Sequence, residues 1–241
     1  VTFPVWQRGT EKAEVLSPFP QPLLITTLGG SIGTEGKPLD AEVVEFASLD
    51  ALKAAPENSL NGKIAFINKR MERHKNGSGY GPVVAGRSAG AVEAAKKGAV
   101  AIVIRSVGTD SDRLPHTGTM RYDAAVKKIP AAALSVPDAD LLENMLKRGK
   151  PVTLRLDITA GMNGTYTSYN VIGEIRGREK PDEFVVIGGH LDSWDLGTGA
   201  VDDGAGVSIT MAAGALIGKM KQAPRRSIRV VAFANEEQGL Y

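Results

Sequence analysis

The stretch Phe184-Val-Val-Ile-Gly-Gly-His-Leu-Asp192 decides the fold of the carboxyl-terminal part of this chain, because its first five residues form a nearly continuous apolar run. Such a run predicts a strand that is buried on both faces. A second apolar run, Ile228–Ala234, follows a helical stretch, Gly204–Met220, whose apolar residues recur on one face. Strand, helix and apolar strand in this order predict a parallel sheet covered by helices. We therefore expect an α/β fold from about residue 161.

The chain before residue 161 predicts a smaller β-rich domain with flanking helices, so we expect the whole chain to combine the α/β and α+β classes. Residues 1–22 are rich in proline and predict an extended lead-in or a hairpin, and residues 161–168 predict a loop of small residues. Between them, short apolar runs alternate with turn residues and helix caps. The predicted strands are Leu23–Thr27, Val43–Phe46, Lys63–Asn68, Ala99–Ile104, Ala131–Leu134 and Val152–Ile158. The predicted helices are a short one between Ser48 and Pro56 and two longer ones, Ala85–Lys97 and Pro137–Arg148.

Composition excludes several classes of function. The chain has 241 residues and a net charge of only +2, without a basic run, which argues against nucleic acid as a partner. It contains no cysteine, so thiol nucleophiles, cysteine-bound zinc, iron–sulfur clusters and disulfides are excluded. Any metal must be bound by Asp, Glu and the three histidines. We expect no membrane span, and no signal peptide opens the sequence, which begins at Val1.

Three polar clusters follow the predicted elements of the α/β part. The first is Gly-Gly-His190-Leu-Asp192, after the strand that begins at Phe184. The second is Asp202-Asp203-Gly204, just before the helix, and the third is Asn235-Glu236-Glu237, after the second apolar strand. The carboxyl ends of parallel strands meet at one edge of a sheet, which is where such folds place their active sites. We therefore expect the three clusters to lie together.

The residue types in these clusters suit a metal site. His190 can give a ring nitrogen to zinc, and Asp192, two residues further along, is placed to hold the other ring nitrogen. Asp202 lies in a glycine-flanked turn and could bridge two metal ions, which share a carboxylate and a water when they lie about 3.5–4 Å apart. Of the adjacent Glu236 and Glu237, one can bind metal while the other acts as general base.

Each cluster also has a simpler interpretation. A single histidine at a strand end is more often structural, an Asp-Asp-Gly is usually a turn with a helix cap, and a Glu-Glu pair is usually solvated. The simpler interpretations are less convincing when the three clusters are considered together, because so many acidic groups at adjacent buried strand ends would repel one another without a cation. His74 and His116 lie in loops of the first domain and are interpreted as surface residues. Trp194 is interpreted mainly as a packing residue.

At these residues the sequence resembles a known family. The run His-Leu-Asp-Ser-Trp-Asp-Leu-Gly-Thr-Gly-Ala-Val-Asp-Asp-Gly-Ala-Gly (190–206), followed by Asn-Glu-Glu-Gln-Gly (235–239), is similar to the co-catalytic zinc aminopeptidases and carboxypeptidases. The likeness also includes Pro-His-Thr-Gly (115–118) and Lys-Ile-Pro-Ala-Ala (128–132). It implies a β-rich protease-associated domain at residues 23–160, inserted into an α/β catalytic domain with a mixed sheet. Residues 1–22 and 161–241 would belong to that catalytic domain.

The resemblance also implies residue roles and a reaction. His190 would bind one zinc ion, Asp202 would bridge two, Glu237 would bind the second, Glu236 would be the general base and Asp192 would orient His190. The reaction would be hydrolysis of a peptide bond at the end of a small peptide or dipeptide. The family uses a further Asp and a further His after Glu237. We therefore expect an incomplete catalytic domain that binds zinc weakly or not at all and is inactive alone.

Partners and alternatives remain open at this level. A homodimer or a complementing carboxyl-terminal segment could supply the missing ligands. The resemblance to the family also implies a secreted, periplasmic or lysosomal protein. A non-catalytic relative is a second hypothesis, although it has no chemical need for these ligands. A peptide- or protein-binding module that uses the protease-associated domain is a third. A one-zinc cyclase acting on glutaminyl substrates is less favoured, because such enzymes lack the inserted domain.

Overall fold

The computed structural model describes residues 1–240, which form two compact units. The smaller unit combines Val1–Val5 with the chain from Gly164 onward, and the larger unit, Trp6–Asn163, is inserted between these two parts. The elements in chain order are β1 (Thr2–Gln7), β2 (Glu11–Ser17), β3 (Gln21–Leu23), β4 (Ile25–Thr27), β5 (Leu39–Phe46), α1 (Leu49–Ala54), β6 (Ile64–Ile67), α2 (Gly81–Lys96), β7 (Ala101–Arg105), β8 (Ala131–Leu134), α3 (Val136–Leu146), β9 (Thr153–Ile158), β10 (Gly161–Thr167), β11 (Val171–Ile175), β12 (Lys180–His190), α4 (Gly206–Gly218) and β13 (Arg226–Phe233).

The larger unit is built on one eight-stranded mixed sheet in the order β3-β2-β9-β5-β6-β7-β8-β4. Its centre, β5 to β8, is parallel. The strands β6, β7 and β8 are mainly apolar and are buried at every position. The predicted cap of α1 is confirmed, because the Ser48 side chain accepts a hydrogen bond from the Ala51 N–H; Ser135, which was not predicted as a cap, does the same for α3. Helix α2 lies close to the sheet, because Gly90 leaves room for Ile102.

Two local expectations differ from the structure. Residues 161–168 were expected to be a loop, but Gly161–Thr167 is a strand that pairs with β1. Its partner lies more than 150 residues away in sequence, so local composition did not reveal the pairing. The lead-in, residues 1–22, was expected to belong wholly to the catalytic domain, but it is divided between the two units. Residues 1–5 lie in the smaller unit, whereas residues 6–22 lie in the larger one, where β2 pairs with β9 and β3.

The smaller unit contains a three-stranded sheet in the order β11-β13-β12. β12 and β13 are parallel and β11 is antiparallel to β13, so the sheet is mixed and the predicted α/β and α+β class is confirmed. Helix α4 covers one face, where Gly214 lies against Val230. The central strand is not wholly apolar, because Arg229 pairs with Glu174 at 2.8 Å and lies 3.5 Å from the ring centre of Phe184.

The segment Ala200–Gly218 is long and apolar enough to count as a candidate membrane span, with a mean hydropathy of 1.2. No such segment is expected from the sequence. Its first six residues are an irregular helical turn in which Asp202 and Asp203 have non-helical dihedral angles. Two acidic residues at this break, and the weak signal that one such helix provides, give little support to a span. The absence of a membrane span stays a prediction.

Candidate metal centre

The three polar clusters meet at one edge of the three-stranded sheet, as predicted. His190 is the last residue of β12, and Glu236 and Glu237 follow the end of β13. Because these strands are parallel, with His190 opposite Phe233, the carboxyl ends of both strands lie at the same edge of the sheet. Asp202 lies in the irregular turn that precedes α4.

Three of these side chains form a group that could bind a metal ion. One ligand atom each of His190, Asp202 and Glu237 lies within 4.8 Å of the other two. The His190 Nε2 atom is 3.1 Å from Asp202 Oδ1. His190 and Glu237 are partly buried, whereas the Asp202 side chain is 78% exposed. An imidazole and two carboxylates are a donor set that zinc accepts, so the residues present fit the ion that the resemblance implies.

The tautomer of His190 follows from its hydrogen bonds. Its Nδ1 atom lies 2.9 Å from the main-chain oxygen of Asp192. A carbonyl can only accept, so Nδ1 carries a proton and Nε2 is the atom available to a metal. Burial alone would lower the pKa of His190. The hydrogen bond to the Asp192 carbonyl, the charge of Asp192, the hydrogen bond with Asp202 and the charge of Glu236 outweigh burial and raise that pKa. A proton on Nε2 therefore lies where a cation would bind.

The role of Asp192 differs in detail from the expected one. Its carboxylate was expected to hold the His190 ring, but Oδ1 is 3.5 Å from Nδ1, and the main-chain carbonyl makes the closer contact. The carboxylate instead accepts hydrogen bonds from the backbone N–H groups of Glu236 and Glu237, at 2.9 and 3.0 Å. Asp192 thus orients the histidine through its backbone and fixes the Glu-Glu pair through its side chain.

Glu237 lies in an electrostatically unfavourable place for an anion. Burial raises the pKa of its carboxyl group, and the nearby charges of Asp202 and Glu236 raise it further. His190 and a hydrogen bond from the Trp194 side chain act in the opposite direction. A carboxylate surrounded by other carboxylates gains most from a cation, which agrees with a metal-binding role.

Glu236 faces open space, unlike its neighbour. It is exposed and lines a cavity of about 430 Å³ together with His190. The remaining lining residues are Gly188, Gly189, Asp203, Phe233, Asn235 and Leu240. A carboxylate that is free to face a substrate-sized cavity beside the ligand group has the position that a general base needs.

Asp203 supports the site, although the sequence analysis did not place it among the functional residues. Its carboxylate accepts hydrogen bonds from the backbone N–H of His190 and of Gly206, both at 3.1 Å. It therefore joins the end of β12 to the first turn of α4. The packing is close: a Cβ atom on Gly189 would lie 2.4 Å from Asp203 Oδ2. The available signal was the Asp-Gly sequence before a helix, which is typical of a cap.

The other two histidines lie in the larger unit and outside the ligand group. His74 is exposed and lies 3.2 Å from Glu72. His116 is exposed, and its ring makes an edge contact with Tyr80 at 6.3 Å between ring centres. The expectation that both are surface residues agrees with these positions. Trp194 lies in the loop after β12, where its carbonyl accepts a hydrogen bond from the Gly197 N–H at 3.0 Å, and its interpretation as a packing residue stays a prediction.

The chain thus combines an α/β fold with one imidazole and two carboxylates that lie together at the edge of its three-stranded sheet. Residues 170–241 match the model of peptidase family M28, and the chain is a relative of the peptidases of that family. Carboxypeptidase Q of Xenopus laevis is 42% identical over 239 residues, which are 99% of this chain and 50% of that protein. The chain spans about half the length of the curated relatives it matches.

Solved structures agree with this relationship. A peptidase M28 precursor from Shewanella amazonensis SB2B is 58% identical, with a TM-score of 0.95 over 99% of this chain and 54% of that one. A zinc aminopeptidase from Bacillus subtilis matches 99% of this chain and 52% of its own with a TM-score of 0.62. At 21% identity the second match shows the fold alone. The resemblance inferred from the motifs is confirmed.

Proposed function

We propose that this chain is part of a zinc-dependent exopeptidase that hydrolyses small peptides or dipeptides. The observation that carries the proposal is the group formed by His190, Asp202 and Glu237, with Glu236 beside it on an open cavity. The similarity to carboxypeptidase Q and to a peptidase M28 precursor supports the reaction class. Which end of the peptide is removed, and which side chains are preferred, depend on residues outside this group.

The residues of the chain have separable tasks in this proposal. His190 Nε2 and the carboxylates of Asp202 and Glu237 would hold zinc, while the Asp192 carbonyl keeps the His190 proton on Nδ1. Bound zinc would polarise the scissile carbonyl and lower the pKa of a water molecule. Glu236 would accept the proton of the attacking water and donate it to the leaving amine. Asp192 holds the backbone of Glu236 in place for this transfer.

The proposed complete site contains two zinc ions bridged by Asp202. Three ligand side chains lie together in the described part of the chain, enough for one ion with an open position but too few for two. We therefore propose that the 241-residue chain alone binds at most one zinc ion, weakly, and does not hydrolyse peptides. Further ligands would come from a complementing segment or from a second copy of the chain.

The smaller unit has a surface that suits such a complement. Among residues 1–240, 17 of the 22 exposed large apolar side chains lie in this unit. They include Val171 on β11, Val186 on β12 and Ile209 and Leu216 on α4. Exposed apolar surface of this extent is usually covered by other protein. This pattern supports a complementing partner and not a solitary folded unit.

The larger unit is proposed to be the protease-associated domain, with the boundaries of the observed unit, Trp6–Asn163. Its insertion between two parts of the smaller unit supports this assignment. We propose a role in selecting peptide substrates, as the resemblance implies. By the same resemblance we propose an exported or lysosomal protein. No nucleic acid is expected to bind.

The test uses the product of the complete reading frame in which this chain lies. Glu236→Gln should lower the hydrolysis of dipeptides at least about 100-fold while zinc content is unchanged, because the general base is lost and the ligands are kept. Glu57→Gln, at an exposed position of the larger unit, is the matched control. Hydrolysis at the wild-type rate by Glu236→Gln would contradict the proposal. Metal-independent peptide binding without hydrolysis would favour the binding-module hypothesis instead.

A further inference from the structure

Asn235 is a buried polar residue between the end of β13 and the Glu-Glu pair. Only 6% of its surface is exposed, and its side-chain Nδ2 atom has no hydrogen-bond partner among residues 1–240. The backbone is held on both sides of it. The Ala234 N–H donates to the Asn170 side chain at 2.9 Å, and the Glu236 N–H donates to the Asp192 carboxylate at 2.9 Å. Asn235 therefore keeps a buried amide donor without an acceptor at a well-fixed position of the chain.

A buried donor without a partner destabilises a fold, so its presence needs an explanation. Ser227 is the other buried polar residue in the described part of the smaller unit, and its hydroxyl group is fully used. This hydroxyl accepts the Gly177 N–H at 2.9 Å and donates to the Pro181 carbonyl at 2.7 Å. Asn235 differs from Ser227 because it lines the cavity of about 430 Å³ on which Glu236 lies. The unused donor thus belongs to a residue that borders the proposed substrate cavity.

We propose that Asn235 is a substrate-binding residue, whose side-chain amide donates a hydrogen bond to a carbonyl oxygen of a peptide in this cavity. The inference rests on the proposed peptidase function and adds to it a residue that orients the peptide beside Glu236. An amide NH₂ group has two donor hydrogens, and a peptide carbonyl oxygen is an acceptor that can use either of them. The same contact would satisfy the donor that the protein itself leaves without a partner.

The surroundings of Asn235 favour a neutral oxygen over a carboxylate. The carboxylates of Asp203 and Glu236 line the same cavity, so a negatively charged group would be repelled there and a carbonyl would not. An asparagine supplies a donor without adding a further charge to this place. Phe233 and Leu240 add apolar surface to the cavity. Apolar walls with a few polar groups that fix orientation are typical of sites that bind small molecules.

The experiment measures dipeptide binding to the product of the complete reading frame, with Glu236→Gln present so that the peptide is not hydrolysed. Titration calorimetry compares this protein with the same protein carrying Asn235→Leu. Asn144→Leu, at an exposed position of α3, is the matched control. We expect Asn235→Leu to weaken binding about 3- to 10-fold, as for the loss of one neutral hydrogen bond, and Asn144→Leu to leave it unchanged. Equal affinity with and without Asn235→Leu overturns the inference.

Thermal unfolding without peptide is the second measurement. A donor that serves a ligand is not needed by the fold, so Asn235→Leu should leave the melting temperature unchanged or raise it. Asn170→Leu removes the acceptor of the Ala234 N–H and should lower the melting temperature. A loss in Asn235→Leu as large as that in Asn170→Leu, or a failure to fold, would mean that the amide has a partner within the protein and overturns the inference.

The two proposals fail in different ways. A dipeptide that does not bind the Glu236→Gln protein at all refutes the proposed peptidase function, and this inference with it. A dipeptide that binds equally well with and without Asn235→Leu refutes the role of Asn235 alone. Zinc content, measured for every variant, should be the same in Asn235→Leu as in its parent, because Asn235 lies outside the ligand group.

Discussion

The Asp192 carboxylate accepts the backbone N–H of Glu237 at 3.0 Å, and this contact joins the ends of two neighbouring parallel strands. The same carboxylate accepts the N–H of Glu236 at 2.9 Å. One side chain thereby sets the position of the proposed general base and of a proposed zinc ligand. Residues 234–240, the described part of the chain after β13, form no regular strand or helix, so these hydrogen bonds help to fix their backbone.

Asp192→Asn should therefore damage the site more than the loss of one charge suggests. An amide has one acceptor oxygen in place of two, and its NH₂ group would face a backbone donor. We expect a loss of about 1–3 kcal/mol in the free energy of unfolding of the smaller unit and a weaker zinc affinity. Chemical denaturation and zinc titration check this, with Asp182→Asn at an exposed position of the same unit as control. Equal stability of both variants would show that the contact is dispensable.

Gly189→Ala tests the packing between β12 and Asp203. A Cβ atom at Gly189 would lie 2.4 Å from Asp203 Oδ2 and 2.8 Å from the Val207 nitrogen, so the turn before α4 must move. We expect a destabilisation of about 1–3 kcal/mol, as for other overpacked sites, together with weaker zinc binding because His190 is the next residue. Gly173→Ala on β11 is the matched control, since nothing lies within 4 Å of its Cβ position. A normal melting temperature for Gly189→Ala would refute the packing argument.

How much of this site the sequence could predict depends on the range of the interaction. The apolar strands around Val186 and Val230 follow local patterns and were predicted, as was the meeting of the polar clusters that follow them. The hydrogen bond between the Glu237 N–H and the Asp192 carboxylate spans more than 40 residues, and no local pattern indicates that this side chain meets that backbone group. The pairing of β10 with β1 was missed for the same reason.

A different prediction concerns Glu143 on α3 in the larger unit. Its hydrogen bond with Lys147, together with contacts to Asn68 and Arg70, outweighs burial and lowers the pKa of the carboxyl group to about 2. The buried Arg105 lies 3.3 Å away. The folded pKa is below the unfolded value, so the unfolded state binds more protons and the stabilisation is lost as pH falls from about 4.5 towards 2.

Glu143→Gln should accordingly destabilise the larger unit at pH 7 by about 1–3 kcal/mol, because hydrogen bonds to a charged group are lost. The difference from the wild type should shrink as the pH is lowered through this window. Urea unfolding at several pH values measures it, with Glu57→Gln as an exposed control. A difference that is constant from pH 7 to pH 2 would contradict the assigned ionisation.

Zinc binding should itself depend on pH through His190. The neighbouring carbonyl and carboxylates raise the pKa of His190 above its ordinary value of about 6.5 despite burial, and the Nε2 proton occupies the metal position. Zinc must displace this proton, so affinity should fall as pH decreases through the raised pKa, by up to tenfold per unit. Calorimetry in buffers of different ionisation enthalpy would detect the released proton. Binding without proton release would place the metal elsewhere.

The most direct test of the central claim is zinc binding by the 241-residue chain, measured by equilibrium dialysis and elemental mass spectrometry for the wild type, His190→Ala and His74→Ala. The claim is that His190, Asp202 and Glu237 form the zinc site. It predicts weak binding of no more than about one zinc ion, as expected for three protein ligands, lost in His190→Ala and kept in His74→Ala. Zinc binding that is the same in His190→Ala as in the wild type, or that disappears in His74→Ala, would contradict it.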